Sequence, residues 1–158
     1  MVPNDKLKDE PEERMYTMSQ GRVLTTREEI QTLLENVNTV AVLGLSPKEN
    51  RDSHRVAKYL QTKGYKIIPV RPGQEEILGE PVYKSLDDLE GPVDLVDVFR
   101  RSEQVDEHLA EFLRVKPKAV WLQLGIRSEE VAKALTEAGI DVVMDRCMKV
   151  DHANYIGA

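Results

Sequence analysis

The stretch Ala41–His54, AVLGLSPKENRDSH, decides how this chain is read. An apolar run ends in Gly44, and HRVAKYLQTKG follows with the apolar spacing of a helix. Strand, glycine turn and helix open the phosphate-binding turn of a dinucleotide-binding unit. The later glycines of G-x-G-x-x-G are missing: Ser46 stands where the second would be, and Glu49 where the third would be. The turn carries Ser46, Lys48, Arg51 and Ser53, so hydroxyls and cations stand in for bare backbone.

Working outward, apolar runs alternate with amphipathic segments. The strand candidates are Thr39–Leu45, Tyr65–Val70, Val93–Phe99, Ala119–Leu124 and Asp141–Met144. Most are dense in Val, Ile and Leu, as strands buried on both faces are. The helix candidates between them are Ser53–Lys63, Ser102–Val115 and Ser128–Ala138, with a serine as expected N-cap of each. Gly64 and Gly139 sit where C-terminal caps belong. Before the first strand, Thr26 and Glu29 form a capping-box pattern, and Ile30, Leu33, Leu34 and Val37 share one face. Between Pro72 and Pro92 the pattern is less regular, with a turn around Gly79 and a helical turn near Leu86–Leu89. This alternation predicts an α/β fold: a doubly wound, mainly parallel, Rossmann-like sheet of about five strands with helices on both faces. Residues 1–24, with Pro3 and Pro11 and mixed charge, read as a loosely packed N-terminal extension, and 25–158 as a single domain.

Composition narrows the function. At 158 residues, 41% hydrophobic and 32% charged, the chain reads as one soluble globular domain. A net charge of −6 argues against a dedicated nucleic-acid binder, since a phosphate backbone demands a basic face. No apolar run approaches the roughly 20 residues of a membrane helix. The N-terminus lacks the pattern of a signal peptide. The single cysteine excludes an internal disulfide and fits a cytoplasmic protein.

Ligands of such sheets sit beyond the C-terminal ends of the strands. There the sequence places Lys48, Arg51, Arg71, Arg100, Arg101 and Arg127, with Arg146 further on: a basic rim on an acidic protein. A basic rim above a helix N-terminus suits a polyphosphate. The end of the second strand discriminates further. NAD sites usually carry Asp or Glu there, but this chain has Arg71. An arginine attracts a phosphorylated ribose, so the pattern disfavours NAD and permits NADP or coenzyme A.

With these residues in hand, the chain resembles the stand-alone CoA-binding proteins. Their domain is similar to the CoA-binding domain of the succinyl-CoA synthetase α subunit and of NDP-forming acyl-CoA synthetases. The resemblance rests on AVLGLSPKENRDSHRVAKYL, GYKIIPVRPG and ILGEPVYKSLDDL, and on DVFRR, WLQLG and MDRC at successive strand ends, from about Thr39 to His152. It implies a CoA or acyl-CoA ligand, with the pyrophosphate by Gly44, Leu45, Ser46, Lys48, Arg51 and Ser53. The adenosine end would lie over Arg71 and Pro72, near Phe99, Arg100 and Arg101, and the pantetheine arm would pass Gln123 and Gly125. Many relatives have a small polar residue where Arg71 stands. The synthetases act through a phosphorylated histidine in a following domain, which this chain is expected to lack, so no catalytic centre of its own is expected. Two alternatives stay open: an NADP-dependent oxidoreductase, and a CoA-carrying subunit for a separate catalytic chain. A homo-oligomer is equally compatible.

Among reactive types, His54, His108 and His152 match no metal pattern and read as structural or surface groups. Asp94 and Asp97 fall within a strand candidate, and Asp145 beside Arg146 reads as an ion pair or cap. Trp121 reads as core. Cys147 reads in two ways: a buried small hydrophobe, or a thiol on the ligand-bearing edge.

Overall fold

The computed structural model describes residues 20–157. The first element is helix α1 (Arg27–Asn36), opened by a complete capping box between Thr26 and Glu29. Strand β1 (Thr39–Leu43) leads through the Gly44 loop into α2 (Asp52–Thr62) and β2 (Lys66–Val70). A two-residue hairpin follows, β3 (Glu76–Ile77) and β4 (Glu80–Pro81), turning on Leu78 and Gly79, both at positive φ. After a 3₁₀ turn at Leu86–Asp88 come β5 (Leu95–Val98), a 3₁₀ segment Ser102–His108 and α3 (Leu109–Val115). The chain continues through β6 (Ala119–Leu122), α4 (Glu129–Glu137), β7 (Asp141–Val143), α5 (Met148–His152) and a π-helical turn Ala153–Gly157.

The main sheet has five strands in the order β2-β1-β5-β6-β7, all parallel. Beside β2, Tyr83 forms a parallel bridge with Val70 and stands where a third Rossmann strand would lie. The strand order reverses between β1 and β5, and that reversal is the topological switch point.

Burial follows the two-residue period of the strands. Val40, Val42, Leu95 and Trp121 pack on one face with Ile30 and Leu34 of α1, Val56 and Leu60 of α2 and Met148 of α5. Ala41, Leu43, Val96 and Leu122 pack on the other with Phe112 of α3 and Leu135 of α4. The expected doubly wound α/β sheet with helices on both faces is therefore observed.

The differences are local. Ser53 and Ser102 are not N-caps: Arg51 and Arg101 hold those positions and make no side-chain capping bond. Ser128 does cap α4, accepting from the Val131 amide at 3.2 Å. The segment expected as one helix, 102–115, is a 3₁₀ segment continued by α3. Leu45, Phe99 and Leu124, expected in strands, lie past the strand ends. For Leu45 the cause is Gly44, whose φ of +89° turns the chain out of the sheet. Within the expected extension, Val23 bridges Val142 on the outer side of β7, and the Leu24 amide donates to the Val142 carbonyl at 2.8 Å. Residues 1–19 of that extension lie outside the described residues.

Candidate functional site at the loop edge of the sheet

At the end of β1 the chain is tied to both neighbouring strands, by Gly44 to β2 and by Leu43 to the residue after β5. The Gly44 amide donates to the Val70 carbonyl at 2.9 Å, while the Phe99 amide donates to the Leu43 carbonyl at 2.9 Å. The loop after Gly44 is held by its own side chains. Ser53 Oγ accepts from the Ser46 amide at 2.9 Å, and Ser46 Oγ accepts from the Lys48 amide at 3.1 Å. His54 Nδ1 donates to the Ser46 carbonyl at 2.9 Å, a bond that fixes the ring's tautomer. His54 is thus a loop clamp, a role that sequence spacing did not reveal. Leu45 is buried with no exposed surface, so only its main chain is left for a ligand.

The basic rim divides in two. Arg127 pairs with Glu129 at 3.0 Å and approaches Asp145 at 4.0 Å, Arg101 pairs with Glu103 at 3.6 Å, and Arg146 grips Asp151 at 2.6 Å. Of the two roles expected for Asp145, an ion pair with Arg146 or a cap, the structure has the second. Asp145 adopts a left-handed φ of +59°, and its Oδ1 accepts from the Gly125 amide at 2.6 Å. Arg146 instead braces the C-terminal turn, donating also to the Tyr155 hydroxyl at 2.8 Å, while its carbonyl accepts from Trp121 Nε1 at 2.8 Å. Trp121 is core, as expected.

Lys48, Arg51 and Arg100 have no ion pair among the described residues. Lys48 and Arg51 are exposed on the loop that leads into α2. Arg100 follows β5, and its Cδ lies 3.6 Å from where a Cβ on Gly44 would stand. Its Nε is buried without a hydrogen-bond partner. Arg71 turns back to the carbonyl of Pro72 at 3.2 Å, and Pro72 itself is exposed. These groups ring the switch point with cations that no carboxylate among the described residues pairs with.

Two cavities flank Phe99. One, of about 430 Å³, is lined by Phe99, Arg100, Arg101, Ser102, Gly125 and Ile126, with Glu103 at its side. The other, of about 380 Å³, brings Phe99, Gln123 and Cys147 together beside α2 and α5. Five of the residues expected at the site therefore line these cavities together with Phe99, a sixth. A slightly larger cavity of about 450 Å³ lies away from the switch point, against the Asp87–Arg114 pair, whose charges cancel. Topology and unpaired charge, not volume, single out the loop edge as the candidate site.

The remaining titratable groups serve the scaffold or stand apart. Asp94 accepts from the Asn38 and Thr39 amides at 2.7 and 3.1 Å. Burial pushes its carboxyl up, but those amide bonds, with Lys118, outweigh it and hold the pKa below the usual value. His108 Nδ1 donates to Glu111 at 2.6 Å. His152, read from sequence as a structural or surface group, is structural: it is buried, 3.0 Å from the Tyr59 hydroxyl. Burial, then Lys63, lowers its pKa. Asp97 is the exception. It is fully buried in the central strand in register with Val42 and Trp121, neither oxygen has a partner, and desolvation raises its pKa well above the usual value.

A parallel sheet with an open glycine turn and a cationic loop edge defines a nucleotide-binding Rossmann-type domain. Residues 38–153 match the family described as CoA binding domain, and the chain belongs to that family. It is similar to an uncharacterized protein, YneT, of Bacillus subtilis (strain 168), with 44% identity over 128 residues, covering 81% of this chain and 95% of that one. It is also similar to a solved structure from Thermus thermophilus, cell-free ID.343, with 44% identity and a TM-score of 0.80, over 83% of this chain and 99% of that one. The fold recurs in an acetyl-coenzyme A synthetase of Ca. Korarchaeum cryptofilum, with 20% identity and a TM-score of 0.62, over 72% of this chain and 28% of that one.

Proposed function

We propose that this protein binds coenzyme A, or an acyl-CoA, along the loop edge of its sheet and has no catalytic centre of its own. One observation carries the reading: Arg100 keeps a buried, unpartnered Nε beside the Gly44 turn. A buried donor without an acceptor is costly, and a bound phosphate would relieve it. In this reading the pyrophosphate meets the main chain of Gly44 and Leu45 and the side chains of Ser46, Lys48, Arg51 and Arg100 at the uncapped start of α2. Ser53 acts through Ser46, whose amide it already holds. The adenosine end lies over Arg71 and Pro72, beside Phe99. The pantetheine arm passes Gly125 and Gln123 toward Cys147. Arg101, paired with Glu103, contributes little more than a diffuse positive field.

A binding role is favoured by the two cavities beside Phe99, neither of which is lined by His54, His108 or His152. A soluble cytoplasmic carrier or sensor fits these features. The position of Arg71 favours, as a second reading, NADP, whose ribose also bears a phosphate. Mass identification of the ligand released on denaturation, with melting curves in CoA, NADP and NAD, tests the reading. CoA should raise the melting temperature and NAD should not. Stabilisation by NADP alone would overturn the proposal.

A further inference from the structure

The cleft of about 380 Å³ at the loop edge is apolar along Val56, Phe99, Leu124, Ile126 and Val150. Leu124 and Val150 are among the large apolar side chains left exposed, at 69% and 51%. Cys147 lines this cleft in the residue before α5 and is half-buried as a free thiol.

Gln123, 5% exposed, lines the same cleft. Its Oε1 accepts from the Met148 amide at 3.1 Å. That bond fixes the orientation of the side-chain amide, because an N–H needs an oxygen to accept it. The Nε2 amino group is therefore a donor with no acceptor among the described residues. An amide donor on a side chain this buried, facing a cleft whose apolar wall is edged by Asp52, Arg55 and Lys149, suits a ligand carbonyl, and a pantetheine arm carries two amide carbonyls ahead of its thiol. A ligand bonded to Gln123 would carry its far end past Cys147.

We propose that Cys147 is a thiol–disulfide exchange site for oxidised CoA, an inference that rests on the CoA reading. The Cys147 thiolate attacks one sulfur of the CoA disulfide. A Cys147–CoA disulfide forms as the CoA–CoA bond breaks, and the second CoA leaves as a thiolate that takes up the proton Cys147 gave up. The incoming disulfide is the oxidant. Binding holds the two sulfurs together, which raises their effective concentration. The chain has one cysteine, so no internal thiol can resolve the adduct. The mixed disulfide then locks the cofactor in place until an external thiol releases it.

The test compares wild type with Cys147→Ser, in which serine suits the N-cap position. Each is incubated with CoA disulfide or glutathione disulfide and followed by intact mass, and reduced CoA is titrated by calorimetry. The expected result is one CoA added to wild type alone, reversed by dithiothreitol. It should form at least about tenfold faster than the glutathione adduct and be slowed by acetyl-CoA. Absence of adduct on a wild type that binds CoA overturns the inference and leaves the function reading intact. Equal rates with both disulfides overturn it too, since they reveal only an accessible thiol. A wild type that binds no CoA overturns the function reading, and this inference with it.

Discussion

A Cβ on Gly44 would stand 2.5 Å from the carbonyl oxygen of Phe99. The chain crosses itself here at the switch point, and Gly44 also has a φ of +89°. Gly44→Ala meets both obstacles at once. The left-handed backbone alone costs about 1–2 kcal/mol, and the clash with main chain adds to it. Denaturant unfolding should show a loss of at least that size. CoA binding should weaken as well, because β1 and β5 must part to admit the methyl group.

Arg100 separates binding from folding. With its Nε buried and unpartnered, Arg100→Ala should leave the melting temperature of the ligand-free protein unchanged or raised, while CoA affinity falls. Lys48 and Arg51 offer a parallel test. A charged hydrogen bond contributes about 1.5–3 kcal/mol, so the double alanine variant should lose on the order of 100-fold in affinity or more. Unchanged affinity in calorimetry would remove this loop from the site.

Asp97 predicts an unusual pH dependence. Its folded pKa lies well above 3.8, because burial disfavours the charge. The folded state therefore keeps a proton that the unfolded chain has released. The stability tied to that proton is complete below the unfolded value and is lost as pH rises toward the folded one. Asp97→Asn cannot ionise. Its stability relative to wild type should rise as pH climbs above the ordinary carboxylate range, by up to about 1.4 kcal/mol per pH unit while the folded carboxyl stays protonated. Parallel stability curves for the two proteins would refute the assignment.

Asp145 combines a left-handed backbone with a 2.6 Å bond to the Gly125 amide. Asp145→Gly relieves the first and loses the second, and the charged bond is the larger effect. Denaturant titration should show a net loss of about 1 kcal/mol. Asp145→Asn tolerates the same backbone and can keep an acceptor, so it should come close to wild type.

The sheet was legible because β1, β5 and β6 are dense in Val, Ile and Leu, and because Thr26, Ser128, Gly64 and Gly139 punctuate the helices by local rules. Ser53 broke those rules through a contact outside its own neighbourhood. It reads as a cap, yet its hydroxyl holds the Ser46 amide seven residues back. The basic rim misled in the same way. Seven cations read as one patch, but Arg146 is taken by Asp151 and Arg127 by Glu129 and Asp145. Which charges stay unpaired depends on how the loops fold over one another, and no spacing carries that. The unpartnered Nε of Arg100 and the bare carboxyl of Asp97 are likewise properties of packing.

The bridges at Tyr83 and Val23 act as guards. A strand whose outer side is uncovered offers its amides and carbonyls to any other chain. On β7, residues 22–24 occupy those groups: Leu24 donates to Val142 and Arg22 accepts from Val142, while Gly21 donates to Thr136 of α4. A stretch that reads as a loosely packed extension thus covers the outer side of β7. A chain begun at residue 25 should keep its fold but, by light scattering, form larger assemblies than the full chain at the same concentration.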